Sequence, residues 1–150
     1  MGLLEDIIIK VANLHYGKQY NEALKLLDSY FEFATKREDT AQFHIGYAMN
    51  YEKLKELEKC NYHCEEAVRL FHCGTYSYKR LIINYVKTKE WKNALRICNI
   101  AIDMSNESKQ LEKGNKPKTR YMRTPLHWGD FDLYLKRRKE FILKKIKEEE

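Results

Sequence analysis

Three stretches of the chain set their apolar and small residues on the same spacing grid. The first carries Val11, Leu14, Tyr20, Ala23, Leu27, Tyr30 and Phe31. The second carries Ala48, Tyr51, Leu57, Cys60, Cys64, Ala67 and Val68, and the third Ile82, Tyr85, Trp91, Ala94, Cys98, Ala101 and Ile102. Within each, the steps run three, six, three, four, three and one. Steps of three and four place side chains on one face of an α-helix. The step of six spans a polar turn: Gly17-Lys18-Gln19, Lys55-Glu56 and Lys89-Glu90. Each stretch therefore predicts a pair of antiparallel helices. Small residues at Ala23, Cys60 and Ala94 let the two helices approach, and the bulky Tyr20, Leu57 and Trp91 fill the space near the turn. Thr40 and Thr75 fall where the first helices of the second and third pairs should begin, and threonine is a good N-cap.

The repeat recurs after 37 residues (Ala23 to Cys60) and again after 34 (Cys60 to Ala94). In this length and spacing the chain resembles the tetratricopeptide repeat family, over roughly residues 4 to 106. The third unit, with Tyr78, Leu81, Ile82, Tyr85, Trp91, Ala94, Cys98 and Ala101, carries most of the likeness. The first places Tyr30 where that family has a small residue, and no unit closes with proline. The resemblance implies a concave surface, lined by the first helix of each pair, that receives a peptide. Its lining would include Ile8 and Ala12, then Gln42, Ile45, Met49, Glu52 and Lys53, then Tyr76, Lys79, Arg80, Ile83 and Lys87. The family's Lys/Asn/Arg clamp for a C-terminal carboxylate is not matched, because Ala12 and Tyr76 stand at two of its positions.

Beyond Met104 the grid stops. Residues 105–129 hold both prolines and two of the six glycines, and about 112–129 reads as a long loop. Asp130 then stands at the start of a last amphipathic helix, about 130–147. Leu133, Tyr134, Phe141, Ile142 and Ile146 line one side of it, opposed by Lys136, Arg137, Lys139, Lys144 and Lys147. Such a helix would cover the end of a solenoid. The expected fold is all-α: a short right-handed solenoid of three helix pairs (about 4–37, 41–74 and 75–108) with a C-terminal helix, forming a single domain over 1–150.

Composition narrows the function classes. With 43% hydrophobic and 33% charged residues, the chain is neither low-complexity nor disordered in type. The formal charge of +6 is unevenly distributed. Residues 1–104 hold 15 basic and 14 acidic side chains, a net of +1, whereas residues 105–150 hold 13 and 8, a net of +5. The basic residues Lys116, Lys118, Arg120, Arg123, Arg137 and Lys139, with Tyr121, Trp128 and Tyr134 among them, offer charge for phosphates and rings for bases. Nucleic-acid or nucleoprotein contact is thus an alternative to peptide binding, and self-association through an apolar repeat face is a third.

Neither a signal peptide nor a membrane span is expected, since Glu5 and Asp6 lie in the first residues and no apolar run approaches 18. That pattern, with four cysteines in a chain that does not need disulfide staples, points to a reduced, cytoplasmic setting. Cys60, His63, Cys64, His72 and Cys73 are donors of the kind zinc takes. The grid, however, puts Cys60 and Cys64 at helix-packing positions, where a free thiol serves as a small hydrophobe. No metal, cofactor or catalytic residue is expected. His127, beside Trp128 and Asp130, lacks the positioned partner a general base requires. The expectation for function is a non-catalytic adaptor or regulatory scaffold that binds a protein or peptide through Ile45, Met49, Tyr76, Lys79, Arg80, Ile83 and Lys87.

Overall fold

The computed structural model describes residues 2–118, 122, 125–126 and 128–150. Every regular element among them is helical: α1 (Leu3–Tyr16), α2 (Tyr20–Tyr30), α3 (Arg37–Lys53), α4 (Leu57–Arg69), α5 (Tyr76–Lys87), α6 (Trp91–Glu112) and α7 (Phe131–Glu148). A 3₁₀ turn at Phe31–Phe33 extends α2. Helices pack on their chain neighbours: α1 on α2, α3 on α4, α6 on α7, with α3 also meeting α1 and α2. The chain therefore has the all-α, neighbour-paired architecture that the grid predicts. It forms two compact units, Met1–Ser77 and Tyr78–Glu150.

The step of six has one structural cause, seen three times. Lys18, Lys55 and Lys89 take left-handed backbone angles, with φ of 62°, 60° and 59°. In each corner the next residue's N–H reaches back five positions: Gln19 N to Leu14 O at 2.8 Å, Glu56 N to Tyr51 O at 2.9 Å, and Glu90 N to Tyr85 O at 2.8 Å. The lysine N–H makes the inner bond, to the carbonyls of His15, Glu52 and Val86. This is the Schellman closure, which satisfies carbonyls left over at a helix end. Phe71 closes α4 in the same way, with φ of 57° and His72 N bonded to Ala67 O at 3.0 Å.

Small residues sit where the grid places them: Ala23, Cys60 and Ala94 are all essentially buried. In the first unit the core joins Ile7, Val11, Leu24, Leu27, Phe43 and Tyr47. Helix α3 is its centre. It buries Ala41, Phe43, His44, Ile45, Tyr47, Ala48 and Asn50, which lie all around its axis. Gly46 lets α2 press close: a Cβ there would lie 3.2 Å from Leu27 Cδ2 and 3.3 Å from Cδ1, and Leu27 is fully buried. The Tyr47 hydroxyl donates to Asp28 Oδ1 at 2.7 Å, and burial with this bond pushes the phenol far above its ordinary range. Arg37 Nη1 donates to Leu70 O at 2.7 Å, tying the start of α3 to the end of α4.

The second unit packs Leu81, Ile82, Ile97, Cys98, Leu135 and Ile142 out of solvent. The Tyr78 hydroxyl, also buried, reaches Met104 Sδ at 2.7 Å. Trp91 Nε1 donates to Glu149 Oε1 at 2.8 Å, and its ring meets Phe141 edge-on. These contacts lay α7 along α6, as a covering helix should lie.

Two local expectations are corrected. Thr40 does not open α3: the helix begins at Arg37, and Thr40 instead donates back to Ala34 O at 2.6 Å. Asp130 stands at the N-cap of α7 but makes no side-chain cap bond. Helix α6 runs to Glu112, where the loop is expected to begin, and past Met104 its buried side chains are the polar Ser105, Glu107 and Ser108. Ser108 Oγ accepts from Leu126 N at 2.6 Å, and Ser105 Oγ donates to Asp132, whose other oxygen lies 3.4 Å from Lys109 Nζ.

Candidate functional site

The first unit carries an apolar furrow between α1 and α3. On α1, Ile8, Ala12 and Tyr16 recur every four residues, and on α3, Gln42, Ile45 and Met49 recur every three or four. Both sets therefore face one line between the helices. Val11 and Gly46 form its floor, and the space holds about 80 Å³. One end is closed by a polar stitch, in which His15 Nδ1 and Asn50 Oδ1 lie 3.0 Å apart and Asn50 Nδ2 donates to Gly46 O at 2.8 Å. The Tyr16 ring beside it is 76% exposed, an apolar surface without cover in this unit.

The expected groove residues divide between the two units. Ile45 and Met49 meet Ile8 and Ala12 in the furrow. Tyr76 is half-buried; its hydroxyl donates to Glu52 Oε1 at 2.7 Å, and burial with that bond raises its pKa well beyond the usual phenol value. In the second unit, Lys79 Nζ sits 5.3 Å over the Tyr134 ring, Arg80 and Ile83 are half-buried, and Lys87 is exposed in the last turn of α5.

Of the basic residues expected to meet nucleic acid, Lys116, Lys118 and Arg137 are exposed and Lys139 is half-buried. Arg120, Arg123 and His127 lie outside the described residues. Lys136 and Lys139, with Lys109, edge an open apolar trough between α6 and α7 floored by Ile102, Leu135 and Leu143.

Cys60, Cys64 and Cys98 are buried and Cys73 is exposed. Burial pushes the Cys98 thiol up to about 11, despite Arg138 and Lys139 nearby. Among the described residues, no group of three or more His, Cys, Asp or Glu side chains is arranged to hold a metal ion. Nor is any helix there long and apolar enough to cross a membrane.

One cluster escaped the spacing argument. His44 of α3 and His63 of α4 bring their Nδ1 atoms to 2.8 Å. The His63 ring stacks on Tyr47, with centroids 4.5 Å apart, and on Tyr51 at 5.6 Å. Phe31 and Tyr62 meet the His44 ring edge-on. Burial lowers the pKa of both histidines, His63 to about 4 with His44 adding to the effect. The available signal was the spacing of His44, Tyr47 and Tyr51 along one face of α3.

No protein-family model, no curated protein and no solved structure matches this chain.

Proposed function

We propose that the protein is a non-catalytic interaction scaffold, an adaptor or regulatory subunit that binds a peptide or partner surface. The observation that carries this reading is the apolar furrow of α1 and α3. Its walls are Ile8, Ala12, Ile45 and Met49, on rigid helices, with the exposed Tyr16 ring at its side. Short apolar pockets that open onto a helix face suit side chains of a bound segment, and burying such surface yields about 25 cal/mol per Å². Replacing Ala12 and Met49 with Glu places charge in the furrow without touching the fully buried core. Affinity capture from cell extract with mass spectrometry is the test. The wild type should retain a defined partner that the double variant loses, with unchanged helicity; the same partners on both proteins would end the furrow assignment.

A second reading rests on a different surface. Helix α7 carries seven basic side chains against Asp132, Glu140 and Glu148. This favours contact with a polyanion, nucleic acid included. Mobility shifts with DNA and RNA at two salt concentrations would separate it from the first: binding that fades steeply with salt supports it, and none at low salt removes it.

A further inference from the structure

The histidine pair lies outside the furrow and asks for a role of its own. Two imidazoles whose Nδ1 atoms are 2.8 Å apart need one proton between them. With both rings neutral, one carries its proton on Nδ1 and donates, while the other carries its proton on Nε2 and accepts. A first added proton goes to the donor's Nε2 and leaves the bond intact. A second must go to the accepting Nδ1, which sets two N–H groups and two positive charges face to face. The pair therefore tolerates a single charge and not two.

Its position makes that limit matter. His44 belongs to α3 and His63 to α4, so the contact joins the two helices of one pair, and α3 is the central helix of this unit. The surroundings do little to compensate a second charge. From α2, Asp28 acts on His63, but its carboxylate already takes the Tyr47 hydroxyl. From α4, Glu66 favours both charged rings, and Arg69, bonded to Glu66 at 2.6 Å, opposes that of His44. From α3 come Tyr47 and Tyr51, and from α4 Tyr62, all as rings rather than charges. Lys59 Nζ sits 5.4 Å over the far partner of the stack, Tyr51.

We propose that His44 and His63 form an acid-sensitive catch between α3 and α4, closed while the pair holds at most one added proton and released by the second. The proposal does not depend on the furrow's being a binding site. The sign follows from linkage. Both histidines hold lowered pKa values in the folded chain, so below the ordinary value of 6.5 the unfolded chain binds more protons, and stability falls with pH. The loss begins near pH 6.5 and continues to about 4, where His63 itself titrates. At pH 5 a single site shifted this far weakens the folding equilibrium by roughly 30-fold relative to pH 7.5.

Two measurements test it, both on the full chain with a chelator present. In urea unfolding between pH 7.5 and 5, the wild type should lose roughly 30-fold in its folding constant beyond any loss in the His44→Phe, His63→Phe double variant. Equal losses in the two proteins would overturn the catch. Should the double variant not fold, nitrogen-detected NMR of the wild-type imidazoles decides the matter. Opposite tautomers for residues 44 and 63 at neutral pH, with midpoints below 6.5, support the pair; two independent titrations at the ordinary value refute it.

Discussion

Gly46 and Leu27 make the sharpest test of how the first unit is packed. A Cβ at position 46 would lie 3.2 Å from one Leu27 methyl, 3.3 Å from the other and 3.7 Å from Val11 Cγ1. Because Leu27 is fully buried, those methyls have little room to retreat. Gly46→Ala should gain about 1 kcal/mol of helix propensity. It should lose about 1–3 kcal/mol to the forced shift, for a net effect between neutral and a loss of about 2. Leu27→Ala alone should cost about 3–5 kcal/mol, as buried leucine truncations do. In that background the new methyl enters the space Leu27 vacates, so Gly46→Ala should become stabilising by about 1 kcal/mol or more. The predicted coupling between the two sites is thus about 1–3 kcal/mol. Urea-dependent alkylation of Cys64, fully buried in the same unit, reads the opening free energy locally. If Gly46→Ala has the same effect in both backgrounds, within about 0.5 kcal/mol, the close approach of α2 to α3 does not set the packing there.

Other outcomes follow from particular contacts. Each of Lys18→Gly, Lys55→Gly and Lys89→Gly should raise stability by about 0.5–1 kcal/mol in thermal unfolding, since glycine takes φ near 60° without the steric cost lysine bears. Tyr47→Phe should cost about 1 kcal/mol by removing the hydroxyl from Asp28, and Asp28→Asn should cost less because the bond survives without its charge. In native protein at pH 8, alkylation followed by peptide mapping should label Cys73 first and Cys98 last. Burial blocks Cys98, and its thiol at about 11 leaves about 100-fold less thiolate than the ordinary value of 9.0. Trp91→Ala should cost about 3–5 kcal/mol by emptying a buried site, whereas Trp91→Phe should keep the contact with Phe141 and lose only the Glu149 bond.

Where an apolar residue recurs on a helix face, sequence reading and structure agree. Ala23, Cys60 and Ala94 are buried at equivalent places, and the turns fall where the step of six puts them. The differences arise where polar residues are buried. Past Met104 the apolar stripe of α6 gives way to Ser105 and Ser108, yet both are buried with partners from the segment that follows. The start of α3 was misplaced because a threonine cap is only a local preference, and Thr40 answers Ala34 instead. The histidine pair was hidden for a geometric reason. His63 stands one residue from Cys64, about 100° around the helix, so the grid that picks out the cysteines does not reach it. Ile8, Ala12, Ile45 and Met49 were grouped only by the family resemblance, and the stitch of His15 and Asn50 that closes their furrow joins residues 35 apart.

The three lysine corners bear on how such a chain could be rebuilt. Each corner is closed by two backbone bonds made within its own few residues, and no side chain takes part in either of them. The corner is thus an interchangeable part: the segment around Lys18 could be transplanted into the place of that around Lys55 or Lys89 without altering the register of the helices on either side. An insertion would be a different matter, since even one added residue would turn the following helix by about 100° and carry its small residue off the seam. Exchange without extension is the editing rule these turns impose.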